Sequence, residues 1–270
     1  MTTSRVMIAV LLSLVLAAGL SAQQASRSKA SAAPKRPDLS GSWSVRLGLP
    51  VSSGLKRQDA GVTKTTSIDR LKVNGAVGKG RGALPWTAEP AYKPEFTSRV
   101  AELEANQSKT DPVFYCGRPG VPRVGPPRRI VQLADELIFL YEDLSGDTYR
   151  VIPTDGRAHR SDANPTYYGD SVGKWEGDVL VIDVRNFVED TWLGEKGYFH
   201  TDALRVVERL WLDGDNLVWQ ASVHDPNVLI APWTQAPRMI ARTTQPLEES
   251  PPCQEQDGDR LLNRDHHIQR

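Results

Sequence analysis

An acidic residue set in an apolar row is the most telling chemical feature of this sequence. Over 204–212, Leu204, Val206, Glu208, Leu210 and Leu212 share one side of an extended chain, because strand side chains alternate between faces. A carboxylate among such neighbours is costly unless it is paired or hydrogen-bonded. Two readings follow. Either Glu208 carries a raised pKa and serves as an acid or base, or an inward arginine such as Arg150 neutralises it.

Two loops add further candidates. Thr154-Asp155-Gly156-Arg157-Ala158-His159 leads into a polar stretch followed by Tyr167, Tyr168 and Asp170. Residues 186–202 hold Asp190, Trp192, Tyr198, His200 and Asp202. A carboxylate can orient an imidazole for general-base work. His200 and Asp202, two residues apart, could form such a pair, or be a surface histidine and a turn-capping aspartate. Glu208, His200, Asp202, Tyr168 and His159 are therefore the candidate catalytic groups. Trp43, Trp175, Trp192, Trp219 and Arg157 are candidate ligand contacts, although aromatic residues also fill ordinary cores. His159, His200 and a carboxylate could in principle ligate zinc, but no H-x-x-x-H or H-E-x-x-H spacing occurs, and no metal is expected. There is no G-x-S-x-G elbow, P-loop or dinucleotide fingerprint, so no cofactor is expected either.

The elements that must position these groups are strands. From Arg128 onward, apolar runs alternate with Gly/Asp turns, a hairpin pattern. Strands are expected at 129–133, 137–141, 147–153, 171–175, 179–184, 204–212, 217–223 and 238–244, after a short one opening at Gly41-Ser42-Trp43. Leu217, Trp219, Ala221 and Val223 should face the core, with Val218, Gln220, Ser222 and His224 on a more polar side. Phe96, Val100 and Leu103 predict one helix over 94–105. Cys116 to Pro127, with four prolines and three glycines, is loop. The expected fold is all-β: an antiparallel meander curled into a barrel or half-barrel, with one outer helix. Open edges favour closure of so long a meander.

The chain has 270 residues, and Lys+Arg and Asp+Glu number 33 each. A neutral chain lacks the basic field that nucleic-acid binding favours, so no nucleic-acid partner is expected. Residues 1–22 read as a signal peptide: Arg5 in a positive n-region, an apolar Val6–Leu20 stretch, and small Ser21 and Ala22 before the cut. An uncleaved anchor is the alternative, but the run is short for a membrane span. A linker follows at 23–37, then one barrel-like domain at 38–270 with an irregular excursion at 48–90. The expected location is periplasmic or secreted, without stable membrane insertion once the signal is removed. Cys116 and Cys253 either bridge, as such a compartment permits, or remain separate buried thiols.

Several segments carry a resemblance. Pro37-Asp38-Leu39-Ser40-Gly41-Ser42-Trp43, Cys116-Gly117-Arg118-Pro119-Gly120-Val121-Pro122-Arg123, Ser171-Val172-Gly173-Lys174-Trp175-Glu176-Gly177-Asp178, Thr191-Trp192-Leu193, Val207-Glu208-Arg209, Asp225-Pro226 and Pro232-Trp233-Thr234 resemble a group of uncharacterised exported proteins of soil and marine bacteria, acidobacteria and proteobacteria especially. The resemblance implies a shared fold and export, and brings no activity with it. The basic segment 52–82 reads as an insertion. Gly41-Ser42-Trp43 is also similar to the G-x-W that opens lipocalin-like (calycin) barrels, which implies that Arg242 packs over Trp43 by a cation–π contact. The function expected is binding of a small hydrophobic or aromatic molecule in a barrel cavity. The alternatives are a cofactor-independent lyase, isomerase, cyclase or hydrolase using a carboxylate–His pair at the barrel mouth, and a structural envelope protein.

Overall fold

Alternating apolar runs joined by tight turns fold here into one curled sheet. The computed structural model describes residues 36–44, 83–143 and 145–253. The expected signal peptide and linker, and most of the 48–90 excursion, lie outside the described residues. The strands are β1 (Gly41–Ser44), β2 (Arg129–Gln132), β3 (Glu136–Tyr141), β4 (Thr148–Pro153), β5 (Asp170–Glu176), β6 (Val179–Arg185), β7 (Arg205–Asp213), β8 (Asn216–His224), β9 (Trp233–Thr234) and β10 (Arg238–Thr243). Their order is β4-β3-β2-β1-β10-β8-β7-β6-β5, every pairing is antiparallel, and β9 pairs with the outer part of β8. The result is a nine-strand meander nearly closed into a barrel.

Closure fails in one place only along this path. β4 and β5 lie side by side without a backbone ladder. Side chains join them instead: Arg150 Nη2 on β4 donates to Ser171 Oγ on β5 at 2.9 Å. Gly173 lets the strands approach. A Cβ there would stand 3.0 Å from methyl carbons of both Ile152 and Thr154.

The inward faces follow the alternation. Leu204, Val206, Glu208 and Leu210 are buried, as are Leu217, Trp219, Ala221 and Val223, together with Trp43, Ile130, Leu137, Phe139, Ile152, Leu180, Ile182 and Val184. Arg242 sits 4.4 Å over the Trp43 ring, the contact that the G-x-W opening implies.

The expected polar side of β8 needs correction. Val218, Gln220 and Ser222 are buried, and so is Trp211 beside them. The chain covers them itself. Leu84 N–H donates to Gln220 Oε1, and Gln220 Nε2 donates to Leu84 O and Gln235 O. Ala83 and Met239 pack with Val179, Val181, Trp211 and Val218 in a second apolar cluster. Gln220 thus bonds as a strand backbone would, and a polar residue on an outer face need not meet water.

The helix begins where Pro94 permits. A 3-10 turn, Pro94–Phe96, leads into α1 (Thr97–Ala105). Phe96, Val100 and Leu103 pack against the main core. The seat is close: Gly197, at φ +70°, would place a Cβ 2.6 Å from that of Leu103. A further turn of helix, α2 (Gln107–Thr110), and a 3-10 turn at Pro112–Tyr115 follow; neither is legible as periodicity. Cys116 and Cys253 form a disulfide, with Cα atoms 5.7 Å apart, that ties the loop after this turn to the C-terminal segment.

Candidate functional site

The residues that meet inside the barrel come from β3, β4, β5, β7 and β8, with Tyr168 from the turn before β5. Glu208 on β7 has no exposed surface. Its ladder neighbours are Ile182 and Ala221, and the small alanine leaves the carboxylate room to extend. Glu208 Oε1 accepts a hydrogen bond from Trp219 Nε1 at 2.8 Å. Glu208 Oε2 lies 2.6 Å from Arg150 Nη2, an ion pair running from β7 to β4 through the interior. The second reading of this acid, pairing with Arg150, is therefore what the structure shows.

Arg150 is itself buried, at 4% exposure. Its Nη1 donates to Tyr141 Oη at 3.0 Å and its Nη2 to Ser171 Oγ. Burial is the largest influence and opposes its charge, but the Glu208 carboxylate and the Tyr141 phenol together outweigh it and hold the guanidinium above its ordinary range. Burial is also the main reason that the Tyr141 phenol is raised, with Glu208 adding to it and Arg150 opposing. The Tyr141 ring stacks on Tyr168, centroids 6.2 Å apart and planes 14° off parallel. Burial, with Asp143 nearby, pushes the Tyr168 phenol up to about 12, although the Arg118 and Arg150 guanidiniums act against this. Three buried polar atoms of this cluster lack a hydrogen-bond partner in the protein: Glu208 Oε2, which the Arg150 ion pair meets, and Arg150 Nε and Tyr168 Oη, which face no acceptor.

His200 belongs to a different network. The ring is buried; its Nδ1 pairs with Thr201 O at 3.0 Å and its Nε2 with Thr191 Oγ1 at 2.7 Å. A carbonyl can only accept, so Nδ1 carries the proton and Nε2 accepts from the threonine hydroxyl. Burial lowers the pKa of this histidine. Asp202 is exposed, and the carboxylate that organises the turn is Asp225, which accepts from Thr201 N–H at 2.7 Å and from its hydroxyl. The expected His200–Asp202 pair is thus not formed: Asp202 points outward while both imidazole nitrogens are engaged elsewhere. Among the described residues no hydrogen bond or ring contact joins His200 to Glu208 or Tyr168.

His159 does meet a carboxylate. Its Nδ1 lies 2.8 Å from Asp170 Oδ2, and Arg160 Nε donates to the other oxygen. The other imidazole nitrogen, Nε2, is buried, lacks a hydrogen-bond partner and faces Asp183 Oδ1 at 3.9 Å. Asp183 in turn accepts from Arg205 and Arg185. This group pins the 154–169 loop to the outer side of β5 and β6 and holds the half-buried imidazole there, on the opposite face of the sheet from Glu208.

The expected ligand contacts divide. Trp219 belongs to the Glu208 cluster, with Arg238 lying 5.4 Å from its ring. Trp43 lies in the core and donates its indole N–H to Leu39 O. Trp175 is partly buried against the same core. Trp192 is buried in the 186–202 loop beneath Arg123. Arg157 is exposed and pairs with Asp155 in its own turn, outside the interior cluster.

Sequence reasoning missed Tyr141, Ser171 and Arg118 as site residues. The first two share parity with inward apolar neighbours, Phe139 and Gly173, so strand alternation held the signal. Arg118 sits in an aperiodic loop and gave none. Among the described residues, no three His, Cys, Asp or Glu side chains gather as a metal-ligating group. No protein-family model, curated protein or solved structure matches this chain.

Proposed function

We propose that this protein is an exported β-barrel that binds a small hydrophobic or aromatic molecule inside the barrel, with the polar end of that molecule at the Arg150–Tyr168 cluster. A barrel of this kind could hold a cavity. The observation that carries the reading is the pair of orphaned polar atoms, Arg150 Nε and Tyr168 Oη. Buried polar groups nearly always find a partner, and where protein supplies none the partner is an ordered water or a ligand. The stacked Tyr141 and Tyr168 rings and the Trp219 indole beside the cluster suit an aromatic guest.

Export has separate support. The Cys116–Cys253 bridge suggests an oxidising compartment. Among the described residues no helix is long and apolar enough to cross a membrane. A signal peptide over 1–22 and a periplasmic or secreted location complete this reading. The cation–π contact of Arg242 on Trp43 favours a lipocalin-like arrangement of the barrel.

The experiment is a titration of intrinsic tryptophan fluorescence with small aromatic probes, neutral and charged, because Trp219 lies in the cluster. Saturable one-to-one quenching that weakens in Tyr168→Phe is expected. Absence of saturable quenching by every probe at millimolar concentration would end the proposal.

A further inference from the structure

The Cys116–Arg123 loop is anchored by the disulfide. It also delivers a cation to the interior cluster. Arg118 lies two residues after Cys116, whose bond to Cys253 fixes the start of the loop. Its guanidinium rests over the β3–β4 turn: Nη1 donates to Gly146 O and Asp147 O, both at 3.4 Å, and Nη2 passes 3.8 Å from where a Gly146 Cβ would be. Bonds that long are weak. Among the described residues Arg118 joins no ion pair, whereas Arg123 in the same loop grips Asp111 through two bonds of 2.7 Å. The nearby carboxylates have other work. Asp147 accepts from Ser250 Oγ and N–H, and Asp143 from Ser145 N–H.

Glu208 Oε2, which also lacks a hydrogen bond, is met by the Arg150 ion pair, and the capacity left over lies on donors. Arg150 Nε can only donate, and a tyrosine hydroxyl needs an acceptor for its proton. Arg118 adds guanidinium donors held by two long contacts to neutral carbonyls. The Arg150 charge is balanced by Glu208, whereas Arg118 forms no ion pair among the described residues and can balance an incoming charge. The carboxylates already here, Glu208 and Asp143, are engaged by Arg150 and by Ser145 N–H, and the donors left over call for a further acceptor-rich group.

Building on the binding function above, we infer that the ligand is an aromatic carboxylate, its ring beside Tyr168 and Trp219 and its carboxylate taken by Arg118, Tyr168 Oη and Arg150 Nε. A planar carboxylate can accept from two or three donors at once, and charge-assisted bonds to guanidinium are the stronger kind. The disulfide then has a binding role as well as a stabilising one, since it holds the loop that bears Arg118.

The test uses the oxidised, mature protein and two probes of like shape, 1-naphthoate and neutral 1-naphthalenemethanol, titrated calorimetrically. Naphthoate is expected to bind about tenfold or more tightly than the alcohol, the order of one charge-assisted hydrogen bond. Arg118→Ala should erase most of that ratio, weakening naphthoate far more than the alcohol, with the thermal midpoint nearly unchanged. Arg118→Lys should keep part of it, because a point charge cannot reproduce the bidentate fork. Tyr168→Phe should weaken naphthoate more than the alcohol. Equal affinities for the two probes, or a ratio unmoved by Arg118→Ala, overturns the carboxylate assignment while leaving barrel binding intact. Binding of neither probe, with ordered waters filling the two orphaned atoms in a crystal structure, overturns both.

Discussion

Removing Arg150 tests the interior most severely. In Arg150→Met, Glu208 keeps one hydrogen bond, from Trp219, but loses its ion-pair partner while remaining wholly buried. Tyr141 and Ser171 lose a donor at the same time. Breaking one side of a buried pair costs about 3–5 kcal/mol. For a domain of this size, about 2–4 °C of melting temperature goes with each kcal/mol, so the midpoint should fall by roughly 6–20 °C. Glu208→Leu alone should cost a similar amount, because it leaves a buried guanidinium uncompensated. The double variant Arg150→Met/Glu208→Leu should recover most of the loss, since apolar replacements of a whole buried pair are often close to neutral. The assay is urea unfolding of the oxidised protein, single and double variants side by side, analysed as a double-mutant cycle. A coupling energy of about 2 kcal/mol or more is expected for groups in direct contact. Single variants that lose less than about 1 kcal/mol, or a double variant whose loss is the sum of the two, would refute the reasoning.

Other perturbations follow from the same geometry. Replacing both cysteines by serine opens a loop that spans 137 residues, worth about 5 kcal/mol by chain entropy alone and more often 2–4 kcal/mol when measured; denaturant midpoints of the oxidised and variant proteins check it. His200 is held below its ordinary pKa of 6.5 by burial, so the unfolded chain binds this proton more readily than the folded one. Stability should therefore be full above that value and fall as the pH drops below it; His200→Gln should flatten part of the slope, with His224, also lowered by burial, accounting for more of it. Gly173→Ala forces a methyl against Ile152 and Thr154 at the seam and should cost about 1–3 kcal/mol in thermal unfolding. Arg242→Ala removes the cation over Trp43 and the bond to Ser40 O, and should lower stability by about 1–2 kcal/mol.

Much of the architecture was legible because a sheet with one apolar face writes its parity into the chain. The β7 row containing Glu208 and its partner row on β8 named the interior correctly, and Gly/Asp turns marked the hairpins. The two-residue β9 left no periodic trace. Burial of Gln220 and Ser222 could not be read either, since it depends on the distant segment 83–87 lying across β8. The site was legible only in part. Glu208 announced itself as an acid among apolar neighbours, and Arg150 was a foreseeable partner. Sequence proximity misled at His200 and Asp202: adjacent positions in a loop took opposite surroundings, and the carboxylate serving that turn, Asp225, comes from 24 residues away. Arg118 was invisible, because what brings it near Tyr168 is a disulfide-anchored loop with no regular repeat.

A crystal structure of the oxidised protein grown with 1-naphthoate bears most directly on the claim that the barrel interior is a binding site. Density for the aromatic acid is expected between the Tyr168 ring and Trp219, its carboxylate within hydrogen-bond distance of Arg150 Nε and Tyr168 Oη, the Glu208–Arg150 pair undisturbed. An interior packed solid by protein side chains, with both of those atoms bonded to protein groups or to isolated waters, would contradict it.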